Sequence, residues 1–202
     1  MRASTPFAIV TICTGNICRS PAMDLLLAHE LATAAGGDGP RFTVSSAGTH
    51  AMTGWPVNPP MDGLLEAHGV DAADVRGFVA RQATRSLLAD AGLILTATRE
   101  HREWVVDHAP STVRRAFTLT EFADAVTRAS ASELSPAELV AWAAAHRPSS
   151  GVVSRDRATR RGYAEGDVLD PYGEGDAAYE AAFAQIATAT EVIASALRAT
   201  VD

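Results

Sequence analysis

Cys13 and Arg19 stand six positions apart, with Thr14-Gly15-Asn16-Ile17-Cys18 between them and Ser20-Pro21 after. A thiol attacks only as its thiolate, and a helix N-terminus beside a cation favours that form. The planar fork of an arginine holds two phosphate oxygens at once. Gly15 and Asn16 tolerate positive φ, which lets successive backbone N–H groups curl into one concavity. The loop is therefore expected to take a phosphate or sulfate anion on Thr14, Gly15, Asn16, Ile17, Cys18 and Ser20, with Cys13 beneath it. Alone, a strand-end cysteine reads as a small core residue. In this company each neighbour meets a separate need of phosphate capture. The Ser20 hydroxyl has two roles open to it, donating to the thiolate or to the departing phosphate.

Displacing an alcohol from phosphorus needs a proton for the leaving oxygen, a contribution of about 10²–10⁴-fold. Asp170-Pro171-Tyr172-Gly173 follows Val168-Leu169 and offers a carboxyl on a short loop. As a bare tripeptide it reads equally as a turn started by Asp. Gly-Lys-Ser/Thr, Gly-x-Gly-x-x-Gly, Gly-x-Ser-x-Gly and His-Glu-x-x-His are absent, so nucleotide, serine-hydrolase and zinc-protease chemistries lack support. Two cysteines are too few for a disulfide framework, and no metal-ligand set or cofactor site is expected.

The elements that must carry these residues alternate. Strands are expected at Phe7 to Ile12, Arg41 to Ser45, Gly92 to Ala97 and Val113 to Leu119, where short apolar runs occur. Helices are expected from Pro21 to Ala35, closed by Gly36-Gly37, and at Pro59 to His68, Arg85 to Ala91, Arg99 to His108 and Asp176 to Thr200. Ser20 suits an N-cap and Pro21 the first helical turn, which sets the loop against the positive end of a helix dipole. Alternating strands and helices favour an α/β fold, a parallel sheet covered on both faces with ligands beyond the strands' carboxyl ends. Residues 123–165 break the alternation, with a helical stretch at Ser135 to His146 and then Arg155, Arg157, Arg160 and Arg161. They read as an insertion in a single domain spanning 1–202. The arginine group is either a solvated loop or an attractor of acidic substrate.

The chain has 202 residues, 47% hydrophobic and 20% charged, enough for one packed domain. Its formal charge of -7 argues against nucleic acid and anionic membranes as partners. All 17 basic residues are Arg. The stretch from Phe7 to Cys13 is too short to span a bilayer and lacks a cleavage site, so a cytoplasmic protein is expected, secretion without a signal peptide remaining open. The expected assembly is a monomer or weak dimer.

With these motifs in view, the sequence resembles the low-molecular-weight protein tyrosine phosphatases, whose loop reads Cys-x-Gly-Asn-x-Cys-Arg-Ser-Pro and whose acid lies in a late Asp-Pro-Tyr or Asp-Pro-Trp. Ser45-Ser46-Ala47-Gly48-Thr49, Gly54-Trp55 with Asn58-Pro59-Pro60, and Val79-Ala80-Arg81-Gln82 extend the likeness over roughly residues 7 to 122 and 166 to 198. The resemblance implies a four-stranded parallel sheet flanked by helices. It also implies a phosphotyrosine protein substrate, Cys13 as nucleophile, Arg19 as clamp and Asp170 as general acid, with no metal. Trp55 and Tyr172 would wall the pocket and Ser46 would buttress the loop. Cys18 is either a neutral occupant or a partner that traps oxidised Cys13 as a disulfide. Phe78 stands where the family often has His, and Thr96-Ala97-Thr98 where a Met is common. Two other readings stay open: arsenate reduction with a low-molecular-weight thiol, and a phosphate-binding module without turnover.

Overall fold

The computed structural model describes residues 5–32, 41–147 and 166–201. Gly36-Gly37 and the arginine group at 155–161 lie outside them. Four parallel strands, β1 (Phe7–Cys13), β2 (Phe42–Gly48), β3 (Leu93–Thr96) and β4 (Ala116–Thr118), form one sheet in the order β2-β1-β3-β4. The expected four-stranded α/β architecture is therefore present. Neighbours on opposite sides of β1 come from successive crossovers, so the chain winds in opposite senses from the β1 carboxyl end. A crevice opens at such a point, and Cys13 is the residue that reaches it.

Side chains alternate across the sheet as the pleat requires. Ile9, Leu93, Leu95 and Phe117 face one core with α1 (Arg19–Ala32), α6 (Leu119–Val126), α7 (Pro136–Ala145) and α8 (Asp176–Ala199). Val10, Ile12, Ala47, Ile94 and Ala116 face the other, beneath α4 (Arg85–Asp90) and α5 (Arg99–His108). Met23, Leu26, Leu27 and Leu31 repeat at helical spacing and form the buried face of α1. Each such side chain stabilises the fold by about 1.5–3 kcal/mol.

Two short helices, α2 (Met61–Ala67) and α3 (Ala72–Gly77), follow β2. The last of these was not expected, since six residues carry too little periodicity; Asp71 caps it by accepting from Ala73 N. Also unexpected was α6, which starts directly where β4 ends. Thr118 and Glu121 form a reciprocal capping box there, so the apolar run at 113–119 divides between a three-residue strand and a helix. Ser135 and Glu138 cap α7 in the same way.

The start of α1 differs from expectation. It opens at Arg19, so Ser20 lies inside the first turn and its hydroxyl is turned to the loop instead of capping the helix. The loop needs that hydroxyl more than the helix does, because loop groups already surround it.

Candidate active site

The loop between β1 and α1 curls because its carbonyls are drawn outward. Thr49 N, His50 N and Met52 N donate to the carbonyls of Cys13, Thr14 and Gly15 at 2.9, 3.0 and 2.9 Å, and Asn58 N donates to that of Ile17 at 2.8 Å. In a trans peptide the N–H points opposite to the C=O, so the loop N–H groups turn toward the interior of the curl. Within this loop only Asn16 takes positive φ, at 56°; Gly15 does not, contrary to expectation. Asn16 is held in that conformation by its own side chain. Its Oδ1 accepts from Arg81 N at 2.8 Å and its Nδ2 donates to Ser20 Oγ at 2.9 Å. Ser20 Oγ lies 3.0 Å from Cys13 Sγ, which closes a chain from the backbone of residue 81 to the thiol.

Close approach explains the glycine of Ser-Ser-Ala-Gly-Thr. A Cβ on Gly48 would lie 2.4 Å from the Thr14 carbonyl oxygen and 3.0 Å from Ala51. Gln82 clamps the next residues, donating to the Thr49 carbonyl at 2.9 Å and accepting from Ala51 N at 3.0 Å. Ser46 is buried in β2, and its carbonyl accepts from Arg81 Nε at 2.8 Å. Its link to the loop therefore passes through Arg81. The Ser46 hydroxyl is sealed from solvent and no partner meets it at full hydrogen-bond geometry. It acts on Asp24, whose carboxyl burial pushes up to about 6 against the pull of Ser46 and Arg81.

Across the crevice, Asp170 is carried by a segment tied to β3 through Val168 N and the Ala97 carbonyl, 2.8 Å apart. Gln185 of α8 donates to the Asp167 carbonyl, and Asp170 Oδ1 accepts from Tyr172 N at 3.3 Å, an Asx turn. Arg19 Nη2 donates to Asp170 Oδ2 at 2.8 Å. The Arg19 side chain is 5% exposed and that of Asp170 34%, so this pair stands at the wall of the crevice.

The crevice is a cavity of about 230 Å³ lined by Cys13, Thr14, Gly15, Ile17, Cys18, Arg19, His50, Met52, Asp170 and Tyr172. The structure thus brings the predicted nucleophile, arginine, carboxyl and one predicted aromatic to a single space. Trp55 is not among the lining residues and is 53% exposed. A turn in which Trp55 N donates to the Met52 carbonyl, with Gly54 at φ 87°, puts Met52 on the cavity instead.

Several residues of the site were missed. Buried His101 of α5 joins Thr14 Oγ1 through Nε2 at 2.8 Å and Thr98 Oγ1 through Nδ1 at 2.7 Å. Burial first, then the Arg19 and His50 charges, lowers its pKa to about 3. Tyr179 of α8 accepts from Asn58 Nδ2 at 2.6 Å and meets Cys18 Sγ at 3.5 Å. Burial pushes the Cys18 thiol up to about 11, opposed by the Tyr179 hydroxyl, while Cys13 and Asp170 add to the rise. Both cysteines are free thiols. Among the described residues no cluster of three His, Cys, Asp or Glu side chains is placed to hold a metal ion.

Residues 8–138 match the family described as low molecular weight phosphotyrosine protein phosphatase. The chain belongs to this family. Its members are hydrolases of phosphorylated protein, and the cysteine and anion-binding loop fit that chemistry. The chain is 34% identical over 113 residues to the probable low molecular weight protein-tyrosine-phosphatase EpsP of Ralstonia nicotianae, covering 56% of this chain and 70% of that one. It is 33% identical over 102 residues to Wzb of Escherichia coli K12, covering 50% and 62%. In fold it is similar to the Erwinia amylovora tyrosine phosphatase AmsI (TM-score 0.66, 22% identity, 98% of this chain and 97% of that one). It is also similar to the YwlE arginine phosphatase of Geobacillus stearothermophilus (TM-score 0.65, 24% identity, 94% and 92%). No helix among the described residues is long and apolar enough to cross a membrane.

Proposed function

We propose that this chain is a phosphatase of phosphotyrosine in proteins, working through a cysteinyl-phosphate with Cys13, Arg19 and Asp170 as its catalytic residues. The observation that carries the reading is the convergence of these three side chains on one 230 Å³ cavity whose remaining walls are largely apolar. The aryl phosphate enters with its phosphoryl group in the curl of N–H groups from Thr14 to Ser20, and Arg19 exchanges its Asp170 partner for phosphoryl oxygens. Cys13 sulfur attacks phosphorus, the S–P bond forms and the P–O bond to the phenol breaks. Asp170, released from Arg19, takes up the proton that leaves the Cys13 thiol and gives it to the leaving phenolate oxygen. Ionised Asp170 then takes a proton from water as the water oxygen attacks phosphorus, the S–P bond breaks, and thiolate and inorganic phosphate are released.

Ile17, Met52 and Tyr172 suit the flat apolar face of a tyrosine ring. A phosphorylated guanidinium would bring further donors to those walls, and buried donors without acceptors are costly. Vibrio vulnificus Wzb, a protein of the same fold, holds benzylphosphonate, an aryl-bearing phosphate analogue. We read the chain as one phosphatase domain elaborated at 123–165, acting in the cytoplasm.

The test is a panel of phosphotyrosine, phosphoserine and phosphoarginine peptides, and arsenate with thiols, given to wild type and Cys13→Ser. Phosphotyrosine is expected to be hydrolysed best, with Cys13→Ser inert while still binding phosphate. Unchanged turnover in Cys13→Ser removes the covalent mechanism, and preference for phosphoarginine or arsenate replaces the substrate assignment.

A further inference from the structure

The hydrogen bonds between the Cys13–Arg19 loop and α5 decide where three protons lie. Thr98 caps α5 by accepting from His101 N at 3.3 Å, and its Oγ1 also stands 2.7 Å from His101 Nδ1. Thr98 is buried, so its own hydroxyl proton needs an acceptor. Among the described residues, Nδ1 is the acceptor it reaches. Nδ1 therefore carries no proton, and a neutral imidazole then carries one on Nε2. Its surroundings favour the neutral ring: His101 is 7% exposed, and the Arg19 guanidinium of α1 opposes a second proton.

With the proton on Nε2, His101 donates to Thr14 Oγ1 at 2.8 Å, and Thr14 is the acceptor. The Thr14 hydroxyl proton is then released from that contact. Thr14 is exposed and lines the cavity beside Cys13 and Arg19. We propose that the Thr14 hydroxyl is a further donor to an oxygen of the bound phosphoryl group, oriented from behind by a neutral His101 whose tautomer Thr98 fixes.

This rests on the phosphatase reading above, and adds to it a side-chain donor beyond the backbone amides. Thr14 is a catalytic residue in this account, because it touches the reacting group. His101 is a positioning residue that acts through it. A donor held by a buried partner is already oriented when charge builds on the phosphoryl oxygens, so its benefit falls on the transition state.

The experiment compares wild type, Thr14→Val, Thr14→Ser, His101→Leu and the Thr14→Val/His101→Leu double variant. Phenyl phosphate turnover and inhibition by orthovanadate are measured on each. Loss of a hydrogen bond to a charged oxygen predicts a fall of about tenfold to a hundredfold in kcat/KM and in orthovanadate affinity for Thr14→Val. Thr14→Ser, which keeps the hydroxyl, is expected to recover most of what Thr14→Val loses. His101→Leu is expected to weaken wild type but to add little to Thr14→Val, because the two act as one unit. Wild-type turnover and orthovanadate affinity in Thr14→Val overturn the proposal, as does a His101→Leu effect of the same size in both backgrounds. Should His101→Leu fail to fold, the Thr14 pair still decides. Wild type inert toward every phosphomonoester sinks the phosphatase reading instead. Phosphate binding by calorimetry to wild type and Thr14→Val then tests the donor on its own.

Discussion

Replacing His101 by Gln gives a direct measure of what the buried imidazole does to stability in acid. The folded protein holds its pKa at about 3, against the 6.5 of an ordinary imidazole. Between those values the unfolded chain binds one proton more than the folded one, so stability falls as pH falls. The slope is about 1.4 kcal/mol per pH unit. None of the loss is present well above pH 6.5. From pH 7.5 to 5.0 it reaches about 2 kcal/mol, and by pH 3 about 4 kcal/mol, a large share of the roughly 5–15 kcal/mol that holds a domain. Gln keeps an N–H donor toward Thr14 and cannot titrate. Asp24, raised from 3.8 to about 6, has the opposite sign between those values, because there the folded state binds the extra proton. Its contribution is common to both proteins and drops out of their difference. Urea unfolding at pH 7.5, 6.5, 5.5 and 5.0 is the assay. Wild type is expected to lose about 2 kcal/mol more than His101→Gln across that range. Parallel stability curves would refute the reasoning, since they mean the ring takes up its proton without resistance or is not buried.

Asp170→Asn is expected to slow phenyl phosphate by about 10²-fold or more while leaving substrates with very good leaving groups much less affected, since only the former need protonation. Equal slowing, measured across a series of phenols, takes Asp170 out of the acid role. Met52→Ala is expected to raise KM for aryl phosphates several-fold and Trp55→Ala to leave it within about twofold, because Met52 lines the cavity and Trp55 does not. Steady-state kinetics with a small aryl phosphate check this, and the reverse order contradicts the cavity lining. Gly48→Ala puts a Cβ 2.4 Å from the Thr14 carbonyl oxygen. Because that neighbour is backbone, the loop must move, and a loss of phosphate affinity together with about 1–3 kcal/mol of stability is expected from calorimetry and thermal unfolding.

The loop from Cys13 to Ser20 was legible because its chemistry is contiguous: thiol, glycine, asparagine and arginine at fixed offsets between an apolar run and a helix leave few physical alternatives. The sheet and its long helices were legible for a related reason, since burial on both faces and an apolar stripe leave periodic marks in a linear string. Even there, local detail escaped. Asn16 alone takes the positive φ expected of two residues, and Ser20 serves the loop and not the helix end, because tertiary partners such as Arg81 N outbid local propensity.

What surrounds the loop is a property of the fold. His101, Arg81, Tyr179, Met52 and Asp170 come from five separate segments. Asp170 and Arg81 were marked by the Asp-Pro-Tyr and Val-Ala-Arg-Gln motifs, but His101, Tyr179 and Met52 carry no short-range signal of their roles, because a lone His on a helix or a Tyr on an apolar face reads as ordinary packing. The order β2-β1-β3-β4 gathers them at the carboxyl end of β1, where crossovers of opposite sense leave room. Sequence alone thus determined which atoms could attack and hold phosphate, since those choices depend on covalent neighbours. The tertiary structure decided which groups orient them, which apolar walls they face and which protons they carry, since those depend on distances between segments far apart along the chain.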